Sequence, residues 1–155
     1  MNFDLTDEQK MVVQTASELA RDFGPEYWRE KDRIHAFPDE FWKSLVEVGF
    51  VGMIIPEKYG GGGMGMSEMI LAMETLTSEG CGLAGTWFLC LTSIFGGLSL
   101  VKHGNEKQKE KYLPKIAMGM EFCLALTEPD AGSNTLNTQT MAVKEGDEYF
   151  INGRK

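Results

Sequence analysis

The chain has 155 residues, of which 43% are hydrophobic and 25% are charged. This composition is typical of a globular protein with a packed core and excludes a disordered chain. The formal net charge is −8 at pH 7, so the protein lacks the basic surface that a nucleic-acid binder needs. An anionic ligand is still compatible with this charge, because a turn with free backbone N–H groups binds phosphate even on an acidic protein.

Three cysteines, Cys81, Cys90 and Cys123, lie far apart in apolar surroundings. An odd number at this spacing fits neither a disulfide framework nor a zinc site, so we expect no metal and predict buried, reduced side chains. The first ten residues, MNFDLTDEQK, contain acidic residues and lack the apolar stretch of a secretory signal. Together these features predict a cytoplasmic protein.

The first third of the sequence predicts helices. Thr6 stands three residues before Gln9, which is the arrangement of a capping box, and apolar residues then recur at helical spacing. A Gly-Pro pair ends this helix, and PEYWREKDR predicts a short helix or turn. Pro38 is predicted at the first position of the next helix, and Gly49 just beyond its C-terminal end.

The middle of the sequence combines a glycine-rich loop with a long uncharged segment. Residues 50–67 hold an apolar run and five close glycines, which predicts an irregular loop packed by its own side chains, with Ser67 capping the next helix. Residues 80–101 carry no charge and are long enough to span a membrane. Their glycines and hydroxyl residues favour instead the central helix of a bundle. A charged helix follows from residue 104, and Leu113-Pro114 is expected to break it.

The periodicity changes after Gly119. Phe122, Leu124 and Leu126 alternate with small residues, which predicts a strand. Residues 138–153 predict two further strands around a turn at residues 145–147. We therefore predict a mainly α protein, with an all-helical domain at residues 1–119 and a truncated β segment at residues 120–155.

The stretch LALTEPDAGSN follows this first predicted strand and suggests a binding loop. Thr127 offers an N–H and a hydroxyl to the polar edge of a planar heterocycle. Gly132 has no Cβ and permits close approach of a ligand, and the amides around Ser133 can form an anion-binding concavity. The alternative is a plain turn stabilised by an Asp or Asn side chain. Glu128 is expected to brace this turn.

Five stretches, taken together and in order, resemble the acyl-CoA dehydrogenase family. They are LTDEQ, FPDEFWKSLVEVGFVGMIIPEKYGG, GNEKQKEKYLPKIAMG, LALTEPDAGSN and GDEYFINGRK. The resemblance covers residues 3–155. It implies an N-terminal helical domain, a middle β-barrel and a C-terminal four-helix bundle, with FAD between the last two.

The resemblance also implies which residues contact the cofactor. The segment matching the family's FAD contacts contains Leu124, Ala125, Leu126, Thr127, Gly132 and Ser133. In this match Thr127 and its neighbours meet the flavin ring, whereas Ser133 meets the pyrophosphate and borders the acyl-CoA substrate. The chain has Asn134 where the family usually has Asp, and Leu124 where an aromatic residue is common.

The activity implied by the resemblance is FAD-dependent oxidation of an acyl-CoA thioester to the 2,3-enoyl-CoA, with electrons passing to an electron-transfer flavoprotein. The family's Trp-Ile-Thr wall and catalytic base match positions beyond Lys155. We therefore assign no catalytic residue, expect residues 1–155 alone to be inactive, and expect a homo-oligomer when complete. The alternatives are an acyl-CoA oxidase of the same fold and a non-catalytic helical interaction module. We expect no membrane span.

Overall fold

Residues 4–155 are described by a computed structural model of the chain. The chain divides into two units, Met1–Cys123 and Leu124–Lys155. The predicted domain border at Gly119 remains a prediction. Residues 1–3 lie outside the described residues. They include the predicted start of the helical domain and the first residues of the stretch MNFDLTDEQK.

The first unit is helical, which confirms the predicted fold class. Its α-helices are α1 (Asp7–Asp22), α2 (Pro25–Ile34), α3 (Asp39–Glu47), α4 (Met66–Leu76), α5 (Gly82–Leu89), α6 (Ser99–His103) and α7 (Glu106–Ala117). Two π-helical segments, Thr77–Cys81 and Cys90–Leu98, join α4 to α5 and α5 to α6. A 3-10 turn forms at Glu57–Tyr59.

Helix α1 begins as the capping box predicts. Thr6 Oγ1 accepts the Gln9 N–H at 3.2 Å, and the Thr6 N–H donates to Gln9 Oε1 at 3.1 Å. These reciprocal bonds satisfy two backbone donors that no helical carbonyl reaches. The helix then buries Val12, Ala16, Leu19 and Ala20.

Helix α3 ends at a left-handed glycine, as predicted. Gly49 has φ +81, its N–H donates to Val46 O at 3.0 Å, and the Phe50 N–H donates to Leu45 O at 3.0 Å. This pair of bonds is a Schellman motif, which satisfies two of the last carbonyls of the helix. At the other end Pro38 occupies the N-cap and not the predicted first helical position.

Two predicted helix ends are wrong. Helix α4 begins at Met66 with Gly65 at its N-cap, because Glu68 Oε2 accepts the Gly65 N–H at 3.0 Å; Ser67 lies inside the first turn and does not cap it. Helix α7 continues through Pro114, whose fixed φ is compatible with a helix although it donates no hydrogen bond. Leu113 and Ile116 are fully buried and hold that turn in place.

The uncharged segment lies within a longer helical stretch than predicted. Residues 66–103 are helical by backbone pairing but broken at Gly80, with φ +138, and Gly82, with φ +58. By length and composition this stretch is the one candidate membrane span among residues 4–155. It also contributes buried side chains, including Leu89 and Ser93, to the helical unit. This burial is what the central helix of a bundle requires.

The glycine-rich loop is packed by its own side chains, as predicted. Phe50, Val51, Met53, Ile54 and Ile55 are all buried. The glycines pair with this run, since the Gly62 N–H donates to Gly52 O at 3.0 Å and the Gly63 N–H donates to Ile55 O at 2.9 Å. A Cβ on Gly61 would lie 2.1 Å from Ile55 O, so this approach requires glycine.

The second unit contains an antiparallel hairpin of β1 (Met141–Glu145) and β2 (Glu148–Asn152). It confirms the two predicted strands and their turn, where Gly146 has φ +61. The predicted strand at residues 121–127 is not formed in the described chain, because no backbone ladder pairs with it. Cys81 is buried, Cys90 is half-buried and Cys123 is exposed, so the prediction of three buried cysteines is confirmed only at Cys81.

Ser93 provides a test of the packing of the central segment. Its hydroxyl is fully buried and donates to Val51 O at 2.8 Å. Ser93→Ala leaves that carbonyl without its partner, and we expect the free energy of unfolding to fall by about 1–3 kcal/mol in urea titrations. Ser99→Ala makes the same change at an exposed position and is the matched control, with an expected effect within about 0.5 kcal/mol. Equal effects of the two substitutions would contradict this account of the core.

Candidate functional site

The six residues predicted to contact a flavin all lie in the second unit, before the hairpin. Leu124, Ala125, Leu126, Thr127, Gly132 and Ser133 are all exposed, with Leu124 at 44% and Leu126 at 50% of their full accessibility. The structure places these residues on one surface loop. Whether they contact a flavin remains a prediction.

A tight turn at residues 128–131 shapes this loop. The Glu128 N–H donates to Ala131 O at 3.0 Å, and the Ala131 N–H donates to Glu128 O at 3.2 Å. Pro129 lies at the second position of the turn, where its fixed φ is favourable. The Asn137 side chain donates to Asp130 O at 2.8 Å and ties the turn to the 3-10 turn Thr135–Asn137.

The Glu128 carboxylate holds the turn against the start of the hairpin. It accepts the Gln139 N–H at 2.7 Å and the Thr140 N–H at 3.1 Å, and its Oε1 lies 3.0 Å from Lys155 Nζ. Its side chain is only 5% exposed. The prediction that Glu128 braces its own turn is confirmed. Lys155 also donates to Leu126 O at 2.9 Å, a contact that the sequence analysis did not predict.

These contacts favour the charged form of Glu128. The Thr140 hydroxyl, the Gln139 N–H and the Lys155 ammonium hold its pKa at about 2, below the usual value for glutamate. The Thr140 hydroxyl lowers the pKa from close by but makes no hydrogen bond, so the two backbone amides and the ion pair fix the position of the carboxylate. A carboxylate held in this way is a brace, and its low pKa makes it a poor proton acceptor near pH 7.

The loop also has free backbone hydrogen-bond donors. Within the described residues, the N–H groups of Thr127, Gly132 and Ser133 donate to no acceptor. A Cβ built on Gly132 meets nothing within 4 Å, and its φ is outside the left-handed region. Neither backbone strain nor packing within the chain therefore requires glycine there. The loop can present amides at close range to an anionic or polar ligand.

Comparisons with known proteins match the chain to one family. The family described as "Acyl-CoA dehydrogenase, N-terminal domain" matches residues 6–120. The chain belongs to the acyl-CoA dehydrogenase family. It is 34% identical over 155 residues to acyl-CoA dehydrogenase FadE12 of Mycobacterium tuberculosis, covering 99% of this chain and 39% of that protein. It is 38% identical over 159 residues to mitochondrial isovaleryl-CoA dehydrogenase of Bos taurus, covering 97% and 36%.

Solved structures of glutaryl-CoA dehydrogenases are similar to this chain. One, in complex with glutaryl-CoA, superposes with a TM-score of 0.90 at 28% identity and covers 99% of this chain and 39% of that one. Another, from Mycobacterium smegmatis in complex with FADH2, has a TM-score of 0.85 at 25% identity and covers 96% and 38%. This acyl-CoA dehydrogenase chain thus spans about two fifths of the length of its relatives.

A cavity of about 460 Å³ is lined by residues of the loop and of the hairpin in this acyl-CoA dehydrogenase chain. Its lining includes Glu128, Thr140 and Arg154, so charges of both signs meet there. Among residues 4–155 no group of three His, Cys, Asp or Glu side chains is placed to hold a metal ion. Sequence reasoning missed Gln139, Thr140 and Lys155, because local spacing gives no signal for contacts made across 11 to 29 positions.

The low pKa of Glu128 predicts a pH dependence of the loop. Because the folded pKa lies below the usual value of about 4.3, the stabilising contribution of the carboxylate is complete above about pH 5 and is lost as the pH falls towards 2. We expect the NMR amide shifts of Gln139 and Thr140 to stay constant down to about pH 3 and to move below it.

Two variants check this assignment. Glu128→Gln removes the titration from both amides, whereas Glu121→Gln, at an exposed carboxylate, leaves it in place. A midpoint near pH 4.3 in the unmodified protein would show that the carboxylate is not held by these donors.

Proposed function

We propose that this chain functions as part of an FAD-dependent acyl-CoA dehydrogenase, an oxidoreductase that converts an acyl-CoA thioester to its 2,3-enoyl-CoA. The observation that carries the proposal is the set of unpaired backbone amides, at Thr127, Gly132 and Ser133, on an exposed loop whose turn is held by the Glu128 carboxylate. The relatives support it, since they include acyl-CoA dehydrogenases, and one similar structure contains FADH2.

The residues of the loop have distinct proposed roles. Gly132 and Ser133 provide backbone donors for the pyrophosphate, in a space that no side chain of this unit occupies at Gly132. Thr127 provides an N–H and a hydroxyl for the polar edge of the flavin, with Leu124, Ala125 and Leu126 leading to it. Ser133 also borders the acyl-CoA. The bound FAD supplies the acceptor for the hydride that leaves the β-carbon of the substrate.

We assign the catalytic base to no residue of this chain. Removal of the α-proton needs a base within hydrogen-bond reach of the substrate. The carboxylate of the loop, Glu128, is occupied by three donors and keeps a pKa of about 2. We propose an electron-transfer flavoprotein as the electron acceptor, a homo-oligomer as the assembly, and the cytoplasm as the location.

The gene product, expressed in full, tests the proposed activity. We expect it to purify as a yellow protein or to become yellow with added FAD, and its visible flavin band to bleach when an acyl-CoA is added without oxygen. A colourless protein that FAD cannot reconstitute would refute the proposed function. Reoxidation by air faster than by an electron-transfer flavoprotein would favour the oxidase alternative.

Gly132→Val tests whether a ligand approaches the loop closely. A Cβ there meets no atom within 4 Å, so we expect an unchanged melting temperature and a fall in FAD affinity of roughly tenfold or more. Gly24→Val is the matched control, since Gly24 has extended backbone and no atom within 4 Å of a built Cβ. Its FAD affinity should equal that of the parent protein. Equal affinities for both variants would remove Gly132 from the site.

A further inference from the structure

We infer that Glu128 and Lys155 form a positioning pair that fixes the direction of the Leu126–Thr127 peptide and thereby aims the Thr127 N–H at the flavin ring. This inference rests on the proposed function and deepens it. Neither residue is among the predicted cofactor contacts. Both act through the peptide that they hold.

Lys155 connects the loop to the Glu128 carboxylate. Lys155 Nζ donates to Leu126 O at 2.9 Å and lies 3.0 Å from Glu128 Oε1. One ammonium group therefore connects a backbone carbonyl to a buried carboxylate two residues further along the chain. Hydrogen bonds with a charged partner are stronger than neutral ones, so this contact holds the carbonyl firmly.

The planarity of the peptide bond links the direction of Leu126 O to that of the Thr127 N–H. No cis peptide bond occurs among the described residues, so the Leu126–Thr127 bond is trans. In a trans peptide the C=O and the following N–H point in opposite directions. Because Leu126 O points to Lys155, the Thr127 N–H points away from it, and it donates to no acceptor among residues 4–155.

Lys155 itself is held in place by the Glu128 carboxylate. Glu128 is fixed by the N–H groups of Gln139 and Thr140, which lie just before β1. Lys155 follows β2, and Met141 pairs with Asn152 at this open end of the hairpin. Both sides of the hairpin thus converge on one carboxylate. The hairpin acts as a rigid support for the peptide that precedes the turn.

Lys155→Met tests the inference in the full gene product. It removes the charge and the donor and keeps an unbranched side chain. We expect a roughly tenfold rise in the Kd for FAD, with a shift of the visible absorption band of the bound flavin, because its ring loses a fixed amide partner. Lys155→Arg keeps a donor for both oxygens and should retain the affinity and spectrum of the parent protein.

Two further variants separate positioning from general stability. Lys144→Met makes the same change at an exposed β1 position and should alter neither the Kd nor the spectrum. Glu128→Gln removes the ion pair and keeps an acceptor oxygen for only one of the two amides, since Gln139 and Thr140 donate to different oxygens. It should reproduce the spectral shift of Lys155→Met. Melting temperatures confirm that each variant is folded.

The outcomes are distinguishable. If the parent protein binds FAD and Lys155→Met behaves like Lys144→Met in affinity and spectrum, the positioning pair is refuted while the proposed function stands. If the affinity falls without a spectral shift, Lys155 contributes to binding without orienting the amide, and the inference also fails. If the parent protein binds no FAD, the proposed function fails, and the inference with it.

Discussion

A single carboxylate, that of Glu128, gathers hydrogen-bond donors from both sides of the hairpin. Two backbone amides before β1 and one ammonium after β2 meet it at distances of 2.7 to 3.1 Å. A buried carboxylate without such partners is strongly unfavourable, so the donors and the acceptor depend on one another. The shape of the loop from Thr127 to Asn137 depends on this arrangement.

The contrast between the paired acceptors and the unpaired donors of the loop has a chemical consequence. The Glu128 carboxylate and Leu126 O accept hydrogen bonds within the chain, whereas the N–H groups of Gly132 and Ser133 donate to no acceptor among the described residues. Unpaired N–H groups on a braced loop are donors that a ligand meets without first breaking internal bonds. Such preorganised donors lower the ordering cost of binding. This loop is therefore suited to an anionic ligand.

Local rules predicted much of the helical unit from sequence. The capping box of Thr6 and Gln9 and the left-handed Gly49 need only neighbouring residues. The predictions failed where packing competes with a local rule, as at Pro114, where buried Leu113 and Ile116 keep the helix intact. The proposed strand at residues 121–127 failed for a related reason, because alternating side chains alone do not provide a partner strand.

The candidate site shows a similar limit. Residue types and family resemblance located the loop, and Glu128 was expected to brace its own turn. The contribution of Lys155 did not follow from either, because it lies 29 positions from Leu126 and pairs with it only after the hairpin folds. The flavin contacts themselves remain predictions that rest on the resemblance.

The π-helical segment Cys90–Leu98 sets the rotation between α5 and α6. A π-helix accommodates more residues per turn than an α-helix, so side chains beyond it face directions that an uninterrupted α-helix would not give them. One residue corresponds to about 100° of rotation in an α-helix. Removing one residue from a regular α-helix turns everything beyond it by this angle, whereas the wider winding of a π segment takes up or releases a residue locally. The length of this segment can therefore change by one residue with little effect on the direction that α6 faces.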